Sequence, residues 1–463
     1  MNRSITVALL GLATAGLAGC AARKYRPAPV VPAETAARLE RRSLRDPGLH
    51  SYLEKSLGRR LGAWPLKEWD PATLTLAALY FSPQLALARA QAQVAAAGVV
   101  TAGARPNPTV SLQPGIPSPY LFGLNFLFPI QTAGKRGYRI AQAEHLSAAA
   151  RLAVAEAAWR VRGRVRLALL DHLLAARKLS LLRARQGLLG ARARLLDARL
   201  SAGEIARPPV EAARIRLSNT RLALRAAEGR VGVTRAALAA AIGIPDSGLA
   251  GVELGWPNLA RPPNVQSLSP RRIQRDAVLD RLDVRRSLAG YAAAETALRL
   301  EIARQYPNFQ IGPGYQFEES HNYFTIGLSA TLPIFNRNQG PIAQAEARRK
   351  AAAAAFLATQ ARVIAQSEQA LAQYRAALGE LNEARQNLNR LLQVQQQLVR
   401  HAFRLGETDR LAMNQAQLES LVAAQAQLTA LGDAQRALGA LEDAVQRPLQ
   451  PGELPAPQGK SGP

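Results

Sequence analysis

The chain is poor in the residues that usually carry chemistry. Cys20 is its only cysteine, so no disulfide framework exists. The five histidines, His50, His145, His172, His321 and His401, are isolated and lack metal-ligand spacing. Gly134-Lys135-Arg136 has the look of a phosphate loop, but the earlier glycine and the Ser/Thr after the lysine are missing. No Ser/His/Asp cluster stands out. The expectation is a protein that is not an enzyme, with no cofactor and no metal site. Long hydrophobic runs are scarce too: beyond the N-terminal segment, none of eighteen residues is expected, hence no transmembrane helix. Proline is absent between Pro129 and Pro208 and between Pro341 and Pro448, which leaves two gaps that long helices can fill.

The N-terminus specifies a compartment. Arg3 precedes an apolar run from Ile5 to Leu17 that ends in Leu17-Ala18-Gly19-Cys20. This is a secretory signal (residues 1–19) followed by a sequence similar to a bacterial lipobox, whose cysteine is acylated after cleavage. A lipid anchor is the most economical use of a lone cysteine; an ordinary signal peptide with an incidental cysteine is the alternative. Ala21 follows where aspartate would favour retention at the inner membrane, so delivery to the outer membrane of a Gram-negative bacterium is expected. Residues 20–70 read as a lipid-anchored extended arm. Residues 448–463, rich in proline and glycine, read as a disordered tail.

What is abundant is repetition. Arg105-Pro106-Asn107-Pro108 is answered by Tyr306-Pro307-Asn308-Phe309, Phe128-Pro129-Ile130 by Leu332-Pro333-Ile334, and Gly203-Glu204 by Gly406-Glu407. The offsets are about 201, 204 and 203 residues. Their constancy marks a duplicated half-molecule, residues 71–262 and 263–447, rather than a solenoid. Each half reads as helix, two strands, a very long helix, a turn and another helix.

The strands alternate with period two. Tyr120, Phe122, Leu124, Phe126 and Phe128 share one face; Phe324, Ile326, Leu328, Ala330 and Leu332 oppose Thr325, Gly327, Ser329 and Thr331; Phe309, Ile311, Tyr315 and Phe317 oppose Gln310, Gly312, Gly314 and Gln316. Segments of about ten such residues suit transmembrane strands with lipid on one side and water on the other. Two hairpins on a soluble domain would alternate likewise. Aromatics concentrated in both hairpins of a chain that is only 5% aromatic favour the membrane. Four strands cannot close a barrel, and open edges in lipid cost several kcal/mol per unpaired backbone group. Several chains must therefore pool their strands.

In the proline-free gaps, helices of about 60 residues would span on the order of 90 Å. Leu167, Leu174, Leu181, Leu188 and Leu195 recur at heptad spacing, and Leu371, Tyr374, Leu378, Leu381, Leu388 and Leu391 step by three and four. Each long helix stops at a glycine turn, Gly203 or Gly406, before a partner returns. The formal charge of +26 comes mostly from arginines spread along these helices. Without basic blocks or aromatic platforms they read as solvated faces and interhelical pairs, and no nucleic-acid partner is expected.

Together these features resemble the TolC-like outer-membrane efflux proteins across essentially the whole mature chain. Pro129-Ile130-Gln131-Thr132-Ala133-Gly134-Lys135-Arg136 and the stretch from Leu332 to Gly340 are similar to the CzcC-like branch, the outer-membrane components of cation-exporting resistance-nodulation-division (RND) pumps. The resemblance implies a mixed α/β fold: a homotrimer with a twelve-stranded barrel and a periplasmic helical tunnel, docked through an adaptor protein onto an inner-membrane pump. It implies a docking tip at Gly203, Glu204, Gly406, Glu407 and Thr408, and a lipid-facing barrel surface at Phe122, Phe126, Phe309, Phe324, Ile326 and Leu328. Family members often narrow the tunnel with aspartates past the second turn. The matching positions here are Ala412 and Gln415, with Glu407 or Asp409 as a substitute, and a solvated helix start capped by Thr408 or Asp409 explains both equally well. Export of heavy-metal cations, export of organic compounds or secreted polypeptides, and a non-conducting structural lipoprotein stay open as functions.

Overall fold

The computed structural model describes residues 24–115, 121–264 and 268–450. The signal segment, Cys20, Tyr120 and the tail from residue 451 lie outside them. Two compact units divide the chain, residues 1–42 and 43–463. The first contains helix α1 (Pro32–Glu40), which opens on a proline; the second holds all the other elements.

The expectation of an extended arm to residue 70 is overturned. Residues Pro47–Leu57 form α2, because Asp46 accepts hydrogen bonds from the Gly48 and Leu49 N–H groups and Leu49 and Leu53 share its inner face. With Leu44 and Trp69 these leucines are fully buried. The segment is part of the core. After it come strand β1 (Glu68–Trp69), helix α3 (Pro71–Phe81) and helix α4 (Pro83–Gly103). Asp70 and Thr73 form a reciprocal capping box at the start of α3. The expected absence of a long apolar span also needs correction. With a mean hydropathy of 1.2, α4 is long and apolar enough to cross a membrane by length and composition. Its apolarity is largely alanine and valine, and its C-terminal carbonyls are held within the fold: Arg136 Nε donates to Gly103 O at 2.7 Å and Arg139 Nε to Ala102 O at 3.3 Å.

Strands β2 (Thr109–Gly115) and β3 (Leu121–Ile130) come next, then α5 (Lys135–Ser201) and α6 (Arg207–Ile242). A short strand β4 (Glu253–Leu254) pairs in parallel with β1. The second half repeats the series: α7 (Pro270–Asp280), α8 (Leu282–Ala303), β5 (Phe309–Glu318), β6 (His321–Ala330), α9 (Gln339–Glu383), α10 (Asn389–Arg404) and α11 (Arg410–Val445). The four longer strands form one antiparallel sheet in the order β2-β3-β5-β6. The helical hairpins build two equivalent cores. Leu169, Leu170, Leu238 and Ile242 lie in the first, and Tyr374, Leu438 and Leu441 in the second.

The two long helices differ in one respect that the sequence pattern conceals. Helix α5 runs unbroken for 67 residues, about 100 Å. Between α9 and α10, residues Ala384–Leu388 form a π turn. A π turn inserts one residue and rotates the helix beyond it. The seam at Leu371, Tyr374, Leu378 and Leu381 is buried as expected, but Leu388 and Leu391 are turned outward, 37% and 63% exposed. Arg385 occupies the next seam position and sends its guanidinium to Ala260 O at 2.5 Å instead of packing inward. In α5 the buried series is Leu182, Leu189 and Leu196, each one residue after the expected heptad leucine; Leu167 is exposed.

Candidate functional site

The sheet has two chemically distinct faces. Directly opposed residues share a face, so the register places Val110 with Phe126, Leu112 with Leu124, Phe128 with Ile311, Ile311 with Leu328, and Tyr315 with Phe324 on one side. The other side pairs Ser111 with Asn125, Gln113 with Gly123, Asn125 with Gly314, Gly314 with Thr325, and Gln310 with Ser329. Phe122, Phe126, Phe309, Phe324, Ile326 and Leu328 thus lie together on the apolar face, all exposed, with Phe324 at 85% and Ile326 at 82%. Gly312 has a close backbone neighbour: a Cβ there would run into the Phe126 carbonyl.

Where the sheet meets the helices, the exit of β3 clasps the entry to β5. Thr132 Oγ1 donates to Pro307 O at 2.5 Å, and Lys135 Nζ donates to Tyr306 O and Asn308 Oδ1, both at 2.6 Å. Burial, then the nearby Arg304 charge, pushes the Lys135 ammonium below its ordinary pKa. The Gly134-Lys135 stretch, which lacks phosphate-loop spacing, is a clasp between the two halves.

At the far end of the hairpins the two glycine turns are copies. Gly203 and Gly406 both have φ of 76°, the left-handed conformation glycine adopts without a Cβ penalty. Glu204 N donates to Arg199 O at 2.9 Å and Glu407 N to Ala402 O at 2.9 Å, the six-to-one bond of a Schellman turn. Gly203, Glu204, Gly406 and Glu407 are exposed and Thr408 is half-buried. Asp409 is the N-cap of α11: its Oδ1 accepts from Ala412 N at 2.8 Å and its Oδ2 pairs with Arg199 at 2.7 Å. The Ala412 amide, then the Arg199 guanidinium, holds this carboxyl below its usual range. Two further bonds tie the hairpins nearby, Arg192 NH1 to Gln415 Oε1 and Asn414 Nδ2 to Leu188 O, both 2.9 Å. Asp409 and Gln415 therefore join the two tips, while Ala412 contributes its backbone amide.

A third feature carries little mark in the sequence. Arg162 and Arg166 of α5 are each 4% exposed and meet the fully buried Glu442 of α11. Arg162 NH2 lies 2.9 Å and Arg166 Nε 3.4 Å from Glu442 Oε2. Glu442 Oε1 also accepts from Leu449 N at 2.8 Å, and Arg166 reaches both oxygens of Gln435 at 2.9 Å. Trp159 and Trp256 cover the guanidiniums at 4.7 and 5.0 Å. Next to this pair, burial raises the Asp443 carboxyl above its ordinary pKa. A charged cavity of about 690 Å³ opens beside it, lined by Glu156, Arg164, Arg281, Asp283 and Arg362 among others. The arginines expected on solvated faces and in interhelical pairs thus include a buried set that locks one repeat to the other. Their sequence signal is slight: they are two of four alternating arginines from Arg160 to Arg166, and only the i, i+4 spacing puts this pair on one helix face.

The molecule thus sets a sheet with one apolar exposed face on long helical hairpins. Residues 274–445 match the family described as Outer membrane efflux protein. Over 214 residues, 46% of this chain, the sequence is 28% identical to the cobalt-zinc-cadmium resistance protein CzcC of Cupriavidus metallidurans. The match spans half the length of that relative. In fold, the chain is similar to the outer membrane protein VceC of Vibrio cholerae, with a TM-score of 0.64 at 20% identity over 80% of this chain and 95% of that one. It is similar to CusC at a TM-score of 0.63 and 18% identity, over 92% and 99%. The resemblance to the TolC-like efflux proteins thus rests on a family match over the second repeat, on a sequence relative and on the fold.

Proposed function

We propose that the chain is the outer-membrane conduit of a tripartite RND-type export system, and that its cargo is heavy-metal cations such as cobalt, zinc or cadmium. The observation that carries this reading is the four-stranded sheet, which has one apolar exposed face and two edges without a partner among the described residues. In lipid those edges must be satisfied. Three chains closing a twelve-stranded barrel satisfy them, and the helical hairpins then line a tunnel continuous with it. Such a conduit needs no bound cofactor, and the pump sets the choice of cargo. The metal-resistance relative supports cations over organic compounds. A lipid anchor at Cys20 adds attachment to the outer membrane, and the two glycine turns offer the adaptor its seat.

The test is a deletion strain complemented with the wild-type chain or with Gly406→Pro, which distorts a tip far from the sheet. Loss of cobalt, zinc and cadmium tolerance on deletion, with unchanged tolerance of organic toxicants, supports the reading. Tolerance and adaptor cross-linking should fall together in Gly406→Pro. Sensitivity confined to organic toxicants would reassign the cargo. Absence of conductance in planar bilayers would leave a structural lipoprotein.

A further inference from the structure

The cavity beside the Glu442 lock holds more cations than the carboxylates around it neutralise. Five arginines line it: Arg160 and Arg164 of α5, Arg281 and Arg286 at the start of α8, and Arg362 of α9. Three carboxylates face them, Glu156, Asp283 and Asp443. Five against three leaves a surplus of two positive charges. Glu156 is already engaged by Arg286 at 2.8 Å and Arg160 at 3.6 Å. Asp283 is engaged by Arg281 at 2.7 Å and Arg362 at 3.6 Å. Asp443 accepts from the Trp159 indole N–H at 2.8 Å. Arg164 meets no carboxylate among the described residues; its Nε donates to Arg160 O at 3.4 Å. The lock behind the cavity adds to the surplus, with two arginines on one glutamate.

The other repeat shows that the fold does not require all these charges. Helices α6 and α11 are both 36 residues long and start at residues 207 and 410, an offset of 203. At that offset the core residues agree: Leu238 and Ile242 of the first core match Leu441 and Val445 of the second. Glu442 and Asp443, however, are answered by Ala239 and Ala240. One of two equivalent positions carries the carboxylates, and the other does without. The charged cavity is also open and roomy. Arg160 and Arg164 lie on the side of α5 turned away from Val161, Val165 and Leu169 of the first core, and the Arg160 side chain is 65% exposed. A volume of about 690 Å³ exceeds what one ion needs and falls within the roughly 300–1,000 Å³ of small-molecule sites.

We propose that this cavity binds a small organic anion carrying two or three carboxylate or phosphate groups, held by Arg160, Arg164 and Arg362. Guanidinium forks pair bidentately with either group. The surplus of two sets the valence, because a monovalent anion would leave part of it uncompensated. Bound there, the anion bridges α5 of the first repeat to α9 of the second. Neither the cargo nor the trimer enters this assignment.

Isothermal titration calorimetry on the full chain in neutral detergent, at fixed ionic strength, tests it with citrate, pyrophosphate and acetate as probes. Citrate or pyrophosphate should bind saturably, one per chain, at least about tenfold tighter than acetate. The tighter of the two assigns carboxylate or phosphate as the recognised group. Arg164→Gln and Arg362→Gln should each weaken that binding by at least about tenfold, the loss expected for a hydrogen bond to a charged group. Both replace exposed side chains, so melting temperatures should stay close to wild type. Arg348→Gln, at an exposed position of α9 outside the cavity, should leave affinity within about twofold. Absence of saturable heat with both polyanions overturns the site. Equal weakening in all three variants overturns it too, since that pattern marks attraction to the bulk positive charge. Neither result touches the conduit reading, which rests on the sheet.

Discussion

Replacing Glu442 with glutamine is the sharpest probe of the lock between the repeats. Glu442 is fully buried between Arg162 and Arg166 at 2.9 and 3.4 Å. At an effective dielectric of about 20, each contact represents about 5–6 kcal/mol of attraction. Most of that offsets the cost of bringing three charges out of water. Glu442→Gln leaves the desolvation of both guanidiniums in place and removes the carboxylate charge between them. The expected loss is about 3–5 kcal/mol. Glutamine retains an oxygen for the Leu449 amide but replaces Oε2, the acceptor for Arg162 NH2, with a donor, so the loss combines the missing charge with a lost hydrogen bond. Hydrogen exchange in the detergent-solubilised protein is the assay, because it localises the effect. Protection of buried amides around Val161–Leu170 and Ala434–Val445 should fall by about two to three and a half decades, at about 1.4 kcal/mol per decade. Arg162→Met added to Glu442→Gln should cost less than the sum of the two, with a coupling of about 0.5–3 kcal/mol. Protection within about twofold of wild type in Glu442→Gln would refute the reasoning, since removing one partner of a buried ion pair cannot be that cheap.

Ile326→Arg or Leu328→Arg should impair membrane assembly by about 2–4 kcal/mol near the bilayer midplane, while Thr325→Arg or Ser329→Arg on the polar face should be far milder. Outer-membrane fractionation reads the difference, and equal damage from both sets would reverse the assignment of faces. Asp409 has a depressed pKa, so its cap and its contact with Arg199 persist below the ordinary carboxylate value of 3.8 and are lost as pH falls through the lowered one. Asp409→Asn at neutral pH keeps the cap acceptor but should mimic the loss of the Arg199 pair and raise single-channel conductance in planar bilayers; unchanged conductance would leave Asp409 as a helix cap only. Cys20→Ser should abolish incorporation of labelled palmitate, and undiminished labelling would remove the lipid anchor from the reading.

The features legible in the sequence are those set by local pattern. Period-two alternation locates β5, and locates β6 to within a few residues (read over Phe324–Leu332, found over His321–Ala330), and Gly203 and Gly406 mark both tips, because φ of 76° leaves little choice of residue. Features that depend on distant partners are not legible. Arg162 and Arg166 look like surface arginines until Glu442, some 280 residues away, is brought against them. Leu388 and Leu391 continue a three-and-four spacing, and only the extra residue of the π turn takes them out of the seam. Leu49 and Leu53 are too few to reveal that their helix joins a core built mainly from α3, α5 and α6. At Asp409, sequence offers capping and constriction as alternatives; the geometry provides the cap, and with it a bond across to the other hairpin.

The π turn sets the true symmetry of the proposed tunnel. Three duplicated chains would give six ribs around the wall, and at the sheet those ribs are close to interchangeable. Below Ala384 they are not: alternate ribs are a continuous α5 or a rotated α10 presenting Leu391, Val394 and Leu398 outward. A partner gripping the wall near its tip would meet two kinds of groove in alternation. Six copies of a single protein could then bind there only in two different poses, three of each.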